Sequence, residues 1–174
     1  ERATEYRLPV KLHTGYYAGH NYMPLQRLKN NAADLCPLLM DFPRTPFVLM
    51  HIGYPYQHEF IALAKHFANV HIDLCWAWII NPAAAARFVK EYLMAAPAIK
   101  LFTFGGDYFP VETVVGHAHI ARRGLTQALT ELVDEGWLSA GEALELLPRL
   151  MHGNARELFQ LEAKQRQATD KCKN

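Results

Sequence analysis

Residues 47–53 read Phe-Val-Leu-Met-His-Ile-Gly, and this stretch decides the fold. Pro46 precedes it, and Gly53 and Pro55 close it. A short apolar run with that punctuation is a buried strand rather than a helix, so a strand is predicted over Phe47–Ile52. Its one polar side chain, His51, stands where strand gives way to loop. The pattern recurs on either side. Arg7 to His13 (RLPVKLH) reads as a strand, with Pro9 tolerable only near its start, and runs into Thr14-Gly15. Val70 to Leu74 (VHIDL) is a third strand. Ile99 to Phe104 (IKLFTF) is a fourth, closed by Gly105-Gly106-Asp107.

Helical stretches separate these strands. One is predicted over 25–40, broken before Pro37. Another covers 56–68, with Phe60, Leu63, Ala64 and Phe67 on one face. Asn81-Pro82 opens a third, because Asn caps a helix and Pro fits its first position; it stops before Pro97. A long helix follows near 111–135. Ser139 with Glu142 then makes the capping box of a helix reaching about Met151. Gly153-Asn154 precedes a last amphipathic helix within a domain over 1–161, and a polar tail fills 162–174. Strands alternating with helices imply parallel pairing through right-handed crossovers. Four such units make either a small open sheet or half of an eight-stranded barrel, and periodicity leaves both open.

Composition narrows the function classes. The 174 residues carry 18 Lys+Arg against 17 Asp+Glu, with no run of five like charges. That balance argues against nucleic acid or a membrane surface as partner and favours a small-molecule substrate. Cys36, Cys75 and Cys172 are widely spaced and form no CxxC pair, so neither a disulfide framework nor a thiolate zinc knuckle is signalled. A cytoplasmic location is the natural expectation. The chain opens Glu1-Arg2-Ala3-Thr4 directly before a strand, as a piece of a longer protein would.

The chemistry gathers at strand ends. His13-Thr14-Gly15, His51-Ile52-Gly53 and Gly105-Gly106-Asp107 each place a potential metal ligand beside glycine. In a parallel barrel catalytic groups occupy the C-terminal strand ends, where the loops converge. Imidazole and carboxylate suit zinc, with manganese or iron as alternatives. No glycine-rich phosphate loop is present, which leaves an unrelated parallel α/β domain without support.

The runs LPVKLHTG, FVLMHIG, IKLFTFGGDYF and HGNARELF, in that order and spacing, resemble the closing half of the amidohydrolase superfamily. The branch most similar holds small metal-dependent hydrolases, decarboxylases and uronate-isomerase-like proteins. The resemblance covers about Leu8 to Leu161. It implies an α/β fold, the C-terminal half of a (β/α)8 TIM-type barrel with four parallel strands. By the same likeness His13 is a metal-binding histidine and His51 a second-metal or substrate-contacting one. Asp107 is the carboxylate that binds metal and handles the proton of the attacking water. The Gly153-Asn154-Ala155-Arg156 segment matches a structural signature of the last helix. The resemblance implies a metal-dependent hydrolase acting on a small polar substrate, with decarboxylase or uronate-isomerase-type activity as the alternative. A non-catalytic half-barrel or ligand-binding module is the reading from another class.

One departure is large. The family's first-strand His-x-His pair has no counterpart before Glu1, so this chain is expected to hold part of the site. Association with the missing half, or with a second copy, is expected for the two unpaired sheet edges. His117-Ala118-His119 does not replace that pair, because positions i and i+2 of a helix diverge by about 200°. Alternation predicts that Lys11 shares the face of His13, and that Phe47 and Leu49 share the face of His51. It also puts His71 and Asp73 on one face, with Val70, Ile72 and Leu74 toward the helices. A buried Lys or Asp needs a partner. Lys11 and Asp73 therefore pair, Asp73 orients a ligand from behind, or one of them lies at a solvated strand end. Tyr16 and His20, in the aromatic loop 16–22, and Arg122, beside Arg123, are candidates for gripping substrate; ordinary packing or solvation is the competing reading. His58, His66 and His152 read as ordinary residues, and Cys75-Trp76-Ala77-Trp78 as packing.

Overall fold

Four short strands, β1 (Val10–Leu12), β2 (Phe47–Met50), β3 (Val70–Asp73) and β4 (Leu101–Phe102), pair side by side in chain order, all parallel. The structure is a computed structural model and describes residues 1–17 and 23–163. Between the strands run α2 (Leu25–Asp41), α3 (Gln57–His66), and α4 (Ala77–Ile80) with α5 (Pro82–Ala95); α1 (Arg2–Glu5) precedes them. After β4 come α6 (Thr113–Asp134), α7 (Ala140–Pro148) and α8 (Asn154–Leu158). The strand-helix alternation of the sequence is therefore present, with α1 and α4 as short additions. Among the described residues, no helix is long and apolar enough to cross a membrane.

Register decides which face is which. Leu12, Leu49, Ile72 and Leu101 form one row across the sheet. With Phe47 and Val70 they pack into the apolar core beneath the helices. The opposite face carries the row Lys11–Val48–His71 and the row Met50–Asp73–Phe102. Phe47 and Leu49 thus lie on the helix side, which corrects the expectation that they share a face with His51. Alternation stops at Met50, because His51 and Ile52 turn at positive φ (62° and 52°) and re-aim the imidazole.

Local signals explain most of the helix boundaries. Asn81 Oδ1 accepts the Ala84 N–H at 3.0 Å and Pro82 occupies the first turn, as expected. Ser139 and Glu142 complete the capping box. The break expected at Pro37 does not occur. α2 runs through it, since Leu28, Ala32 and Leu39 lock one stripe of the helix into the core.

Three buried polar side chains join helix ends to strands. Asn69 donates to the Leu39 and Phe42 carbonyls, both at 3.1 Å, closing the end of α2. Lys100 donates to the carbonyls of Ala64 and Phe67 at the end of α3, where the helix dipole favours a cation. Asn154 donates to Ala98 O at 2.8 Å and Leu101 O at 2.9 Å, so the C-terminal segment grips β4. Thr103 adds to that grip through N–H and hydroxyl bonds to Leu150 O, at 3.0 and 2.9 Å.

The tightest helix contact lies at Gly124 of α6. A methyl group there would sit 2.2–3.0 Å from the ring of Trp78, which is fully buried and donates its indole N–H to Thr103 O at 2.7 Å. Gly124→Ala should therefore destabilise the protein by about 1–3 kcal/mol in urea unfolding, despite alanine's higher helix propensity. A stabilised variant would show that Trp78 can yield without cost.

Candidate metal centre

The turns after β1 and β2 meet backbone to backbone. Gly15 has φ 71°, and a Cβ on it would fall 2.6–2.7 Å from Gly53 C and the Tyr54 backbone. Gly53, at φ 64°, faces the Phe60 ring, where a Cβ would land 2.0–2.5 Å away. Only glycine fits either position. The Thr14 hydroxyl donates to Met50 O, and Asn31 Oδ1 accepts the Gly15 N–H at 3.1 Å. This contact sets His13 beside His51, with ring centroids 4.5 Å apart; Tyr17 lies against His13 at 4.4 Å.

The ends of β3 and β4 supply the other half. Asp73 is buried at the end of β3. Its Oδ2 accepts from Lys11 Nζ at 2.9 Å, and its Oδ1 accepts the Cys75 N–H at 2.8 Å. Cys75 turns at φ 35°. Gly105 leaves it room, since a Cβ there would come within 3.3–3.4 Å of Cys75 Cα, Cys75 Sγ and Asp73 Oδ1. Two residues on, Asp107 turns at φ 51°, and its Oδ2 lies 3.7 Å from His51 Nε2. One donor atom each from His51, Cys75 and Asp107 falls within 4.8 Å of the others. All three are non-glycine residues at positive φ, a costly conformation that persists where surrounding contacts impose it.

Burial sets the protonation states. It lowers His51 to about 4, helped by His13 and Lys11 and opposed by Asp107. It lowers His13 as well, again against Asp107. The Cys75 thiol is pushed up to about 12 by burial and by the carboxylates of Asp73 and Asp107. Burial alone would lower Lys11, but the Asp73 carboxylate outweighs it and holds the ammonium above its usual value. Burial raises Asp73, with Lys11 pulling against it. Both imidazoles are therefore neutral at pH 7 and offer a lone pair to a cation.

Comparison with known proteins gives these residues a setting. The family model for amidohydrolases matches residues 1–161. The chain belongs to the amidohydrolase family. It is 28% identical over 162 residues to protein fluG of Emericella nidulans, covering 92% of this chain and 18% of that protein. A structure assigned as a metal-dependent hydrolase from Lactobacillus casei superposes with TM-score 0.74 at 21% identity, over 93% of this chain and 43% of that one. Glucuronate isomerase from Caulobacter crescentus gives the same TM-score and identity, over 91% and 36%. At that identity the likeness speaks for the fold alone. The four parallel strands are the C-terminal half of a (β/α)8 barrel, and the chain spans less than half of each relative.

Within this amidohydrolase half-barrel, His13, His51 and Asp107 do come together, and Lys11 and Asp73 pair directly. The three-donor cluster nonetheless contains Cys75 in place of His13. Sequence reading passed over Cys75 because the flanking Leu74 and Trp76 looked like packing. Its place just past a strand end, like that of His13 and His51, was the available signal. Tyr17, rather than Tyr16, lies against His13, and Tyr16 is exposed. Arg122 is not brought to the cluster. The buried stripe His117–Ala121–Gly124–Leu125–Ala128 takes the inner face of α6 and leaves Arg122 outside. His20 lies outside the described residues. His117 is buried against Phe104 and Tyr108 while His119 is exposed, the divergence that a helix imposes.

A divalent ion fits the donor set. His51 has a side chain only 3% exposed, yet neither ring nitrogen completes a hydrogen bond. A buried polar atom without a partner is costly, and a coordinated cation would relieve it.

Two predictions follow from these contacts. Lys11→Met leaves the buried Asp73 carboxylate without its ammonium and should cost about 1–3 kcal/mol, reduced because the Lys11 side chain is 40% exposed. Adding Asp73→Asn should recover much of that loss in urea unfolding; a loss under about 0.5 kcal/mol for the single variant would mark the pair as a mere surface contact. The second concerns acid. His71, stacked on Phe102 at 5.7 Å, is lowered by burial and by Lys100 to about 4, like His51. Between pH 6.5 and 4 the unfolded chain binds the extra protons. The stability these groups contribute is therefore complete above pH 6.5 and lost as pH falls through that window. From pH 7 to 5, His71→Asn should lose about 1–2 kcal/mol less than the wild type; equal losses would refute the assignment.

Proposed function

We propose that this chain carries part of the active site of a metal-dependent hydrolase acting on a small polar substrate. The observation that supports it is the buried, unpartnered His51 set beside His13, Cys75 and Asp107 at adjoining strand ends. His13, His51 and Asp107 would hold the ion, zinc being favoured by the neutral imidazoles, with manganese or iron as alternatives. When bound, such an ion polarises a carbonyl and lowers the pKa of water.

The chain's own groups account for the remaining roles. The Asp107 side chain is half exposed, so it can meet both solvent and substrate. It takes a proton from the attacking water as the water oxygen bonds to the substrate carbonyl carbon. It then returns that proton to the leaving group as the scissile bond breaks. His51 stays neutral at working pH and helps fix the reacting oxygen. Asp73, held by Lys11, keeps the Cys75 turn in place from behind. The sheet face bearing Lys11, Met50 and His71 is the side a closed barrel fills. Further strands of a longer chain, or a second copy, would cover it.

Elemental analysis and zinc titration of the purified chain test this reading. One equivalent of divalent metal is expected, with affinity reduced at least about tenfold by His51→Ala and by Asp107→Ala. A wild-type protein that takes up no zinc, manganese or iron would overturn it. So would variants that bind as tightly as the wild type.

A further inference from the structure

We propose that Cys75 is itself a ligand of this centre, so that the ion is held by a His–Cys–Asp set in which sulfur supplies the soft donor. The inference rests on the metal-site reading above and names a residue which that reading leaves as a neighbour. Three observations carry it. First, the Cys75 sulfur lies within 4.8 Å of donor atoms of both His51 and Asp107, whereas His13 is not a member of that mutual set. Second, the sulfur is nearly inaccessible (Cys75 is 2% exposed) and faces a histidine whose two ring nitrogens complete no hydrogen bond. A buried thiol that merely packs would be surrounded by hydrocarbon. This one shares its surroundings with an imidazole and two carboxylates. Third, the position is built. Asp73 Oδ1 fixes the Cys75 N–H at 2.8 Å, Lys11 fixes Asp73, and the missing side chain of Gly105 leaves space on the sulfur's flank.

The chemistry is simple to balance. The thiol is protonated in the metal-free protein. When the cation enters, the S–H bond breaks, the proton leaves to solvent, and the sulfur keeps the electron pair it gives to the ion. No oxidant or reductant is needed. A thiolate in the set favours zinc or cobalt over manganese and magnesium, which prefer oxygen donors.

Cobalt(II) reports directly on sulfur ligation. Purified full chain loaded with one equivalent of Co(II) should show a near-ultraviolet thiolate-to-cobalt charge-transfer band beside the weaker visible ligand-field bands. Cys75→Ser, with Cys36 and Cys172 intact, should lose the charge-transfer band and keep visible bands, while Cys36→Ser keeps both. Zinc X-ray absorption on the wild type guards against a variant that fails to fold, and should show one sulfur at about 2.3 Å. Visible bands without the charge-transfer band, or a zinc shell of nitrogen and oxygen only, would overturn the Cys75 ligand and leave the metal-site reading standing. A charge-transfer band that survives in Cys75→Ser would also overturn it. A protein that binds neither ion would sink both.

Discussion

The arrangement of this half-barrel hangs on one carboxylate. Asp73 is buried at the end of the third strand and spends one oxygen on Lys11 of the first strand and the other on the backbone of Cys75. The first bond spans the inner face of the sheet across β2. The second holds a non-glycine residue in a left-handed turn that it would not adopt freely. Without the carboxylate, Lys11 would have no acceptor in its neighbourhood and the turn that presents the Cys75 sulfur would lose its brace. A charge this deeply placed is expensive unless satisfied, and here both of its oxygens are.

Strain and support are distributed in the same way around the donors. His51, Cys75 and Asp107 each occupy positive φ, at a cost of order 1–3 kcal/mol apiece. Each is held from outside. The Gly15–Gly53 contact and Phe60 fix the His51 turn, Asp73 and the gap at Gly105 fix the Cys75 turn, and Gly105-Gly106 lead into Asp107. Membership of the amidohydrolase family makes sense of such expense, since strand-end turns in this architecture carry chemistry rather than connection alone.

Much of this was legible in the sequence, and the failures are physical. Strand-helix alternation and the ligand-glycine pairs gave the parallel sheet and brought His13, His51 and Asp107 to one end. The Ser139–Glu142 box and the Asn81-Pro82 start were readable because capping is local. What misled was periodicity carried past a strand's end. Alternation put Phe47 and Leu49 with His51, but the chain leaves β-geometry at Met50, and a single left-handed residue re-aims everything after it. Cys75 was hidden by its apolar neighbours, since hydrophobic pattern cannot distinguish a thiol that packs from one that faces an imidazole. Arg122 failed for the opposite reason. Its chemistry suited a substrate carboxylate, but helical phase put it on the outer side of α6.

The grip of Asn154 and Thr103 on the fourth strand has a consequence in time as well as in space. β4 is two residues long, and its outer side is held by groups from 47 to 56 positions downstream. A chain emerging from the ribosome can pair its first three strands early. The last has little of its own to hold it until the closing helices arrive. The order of synthesis thus leaves the Asp107 side of the cleft for last, and the site is assembled from its histidine side toward its carboxylate.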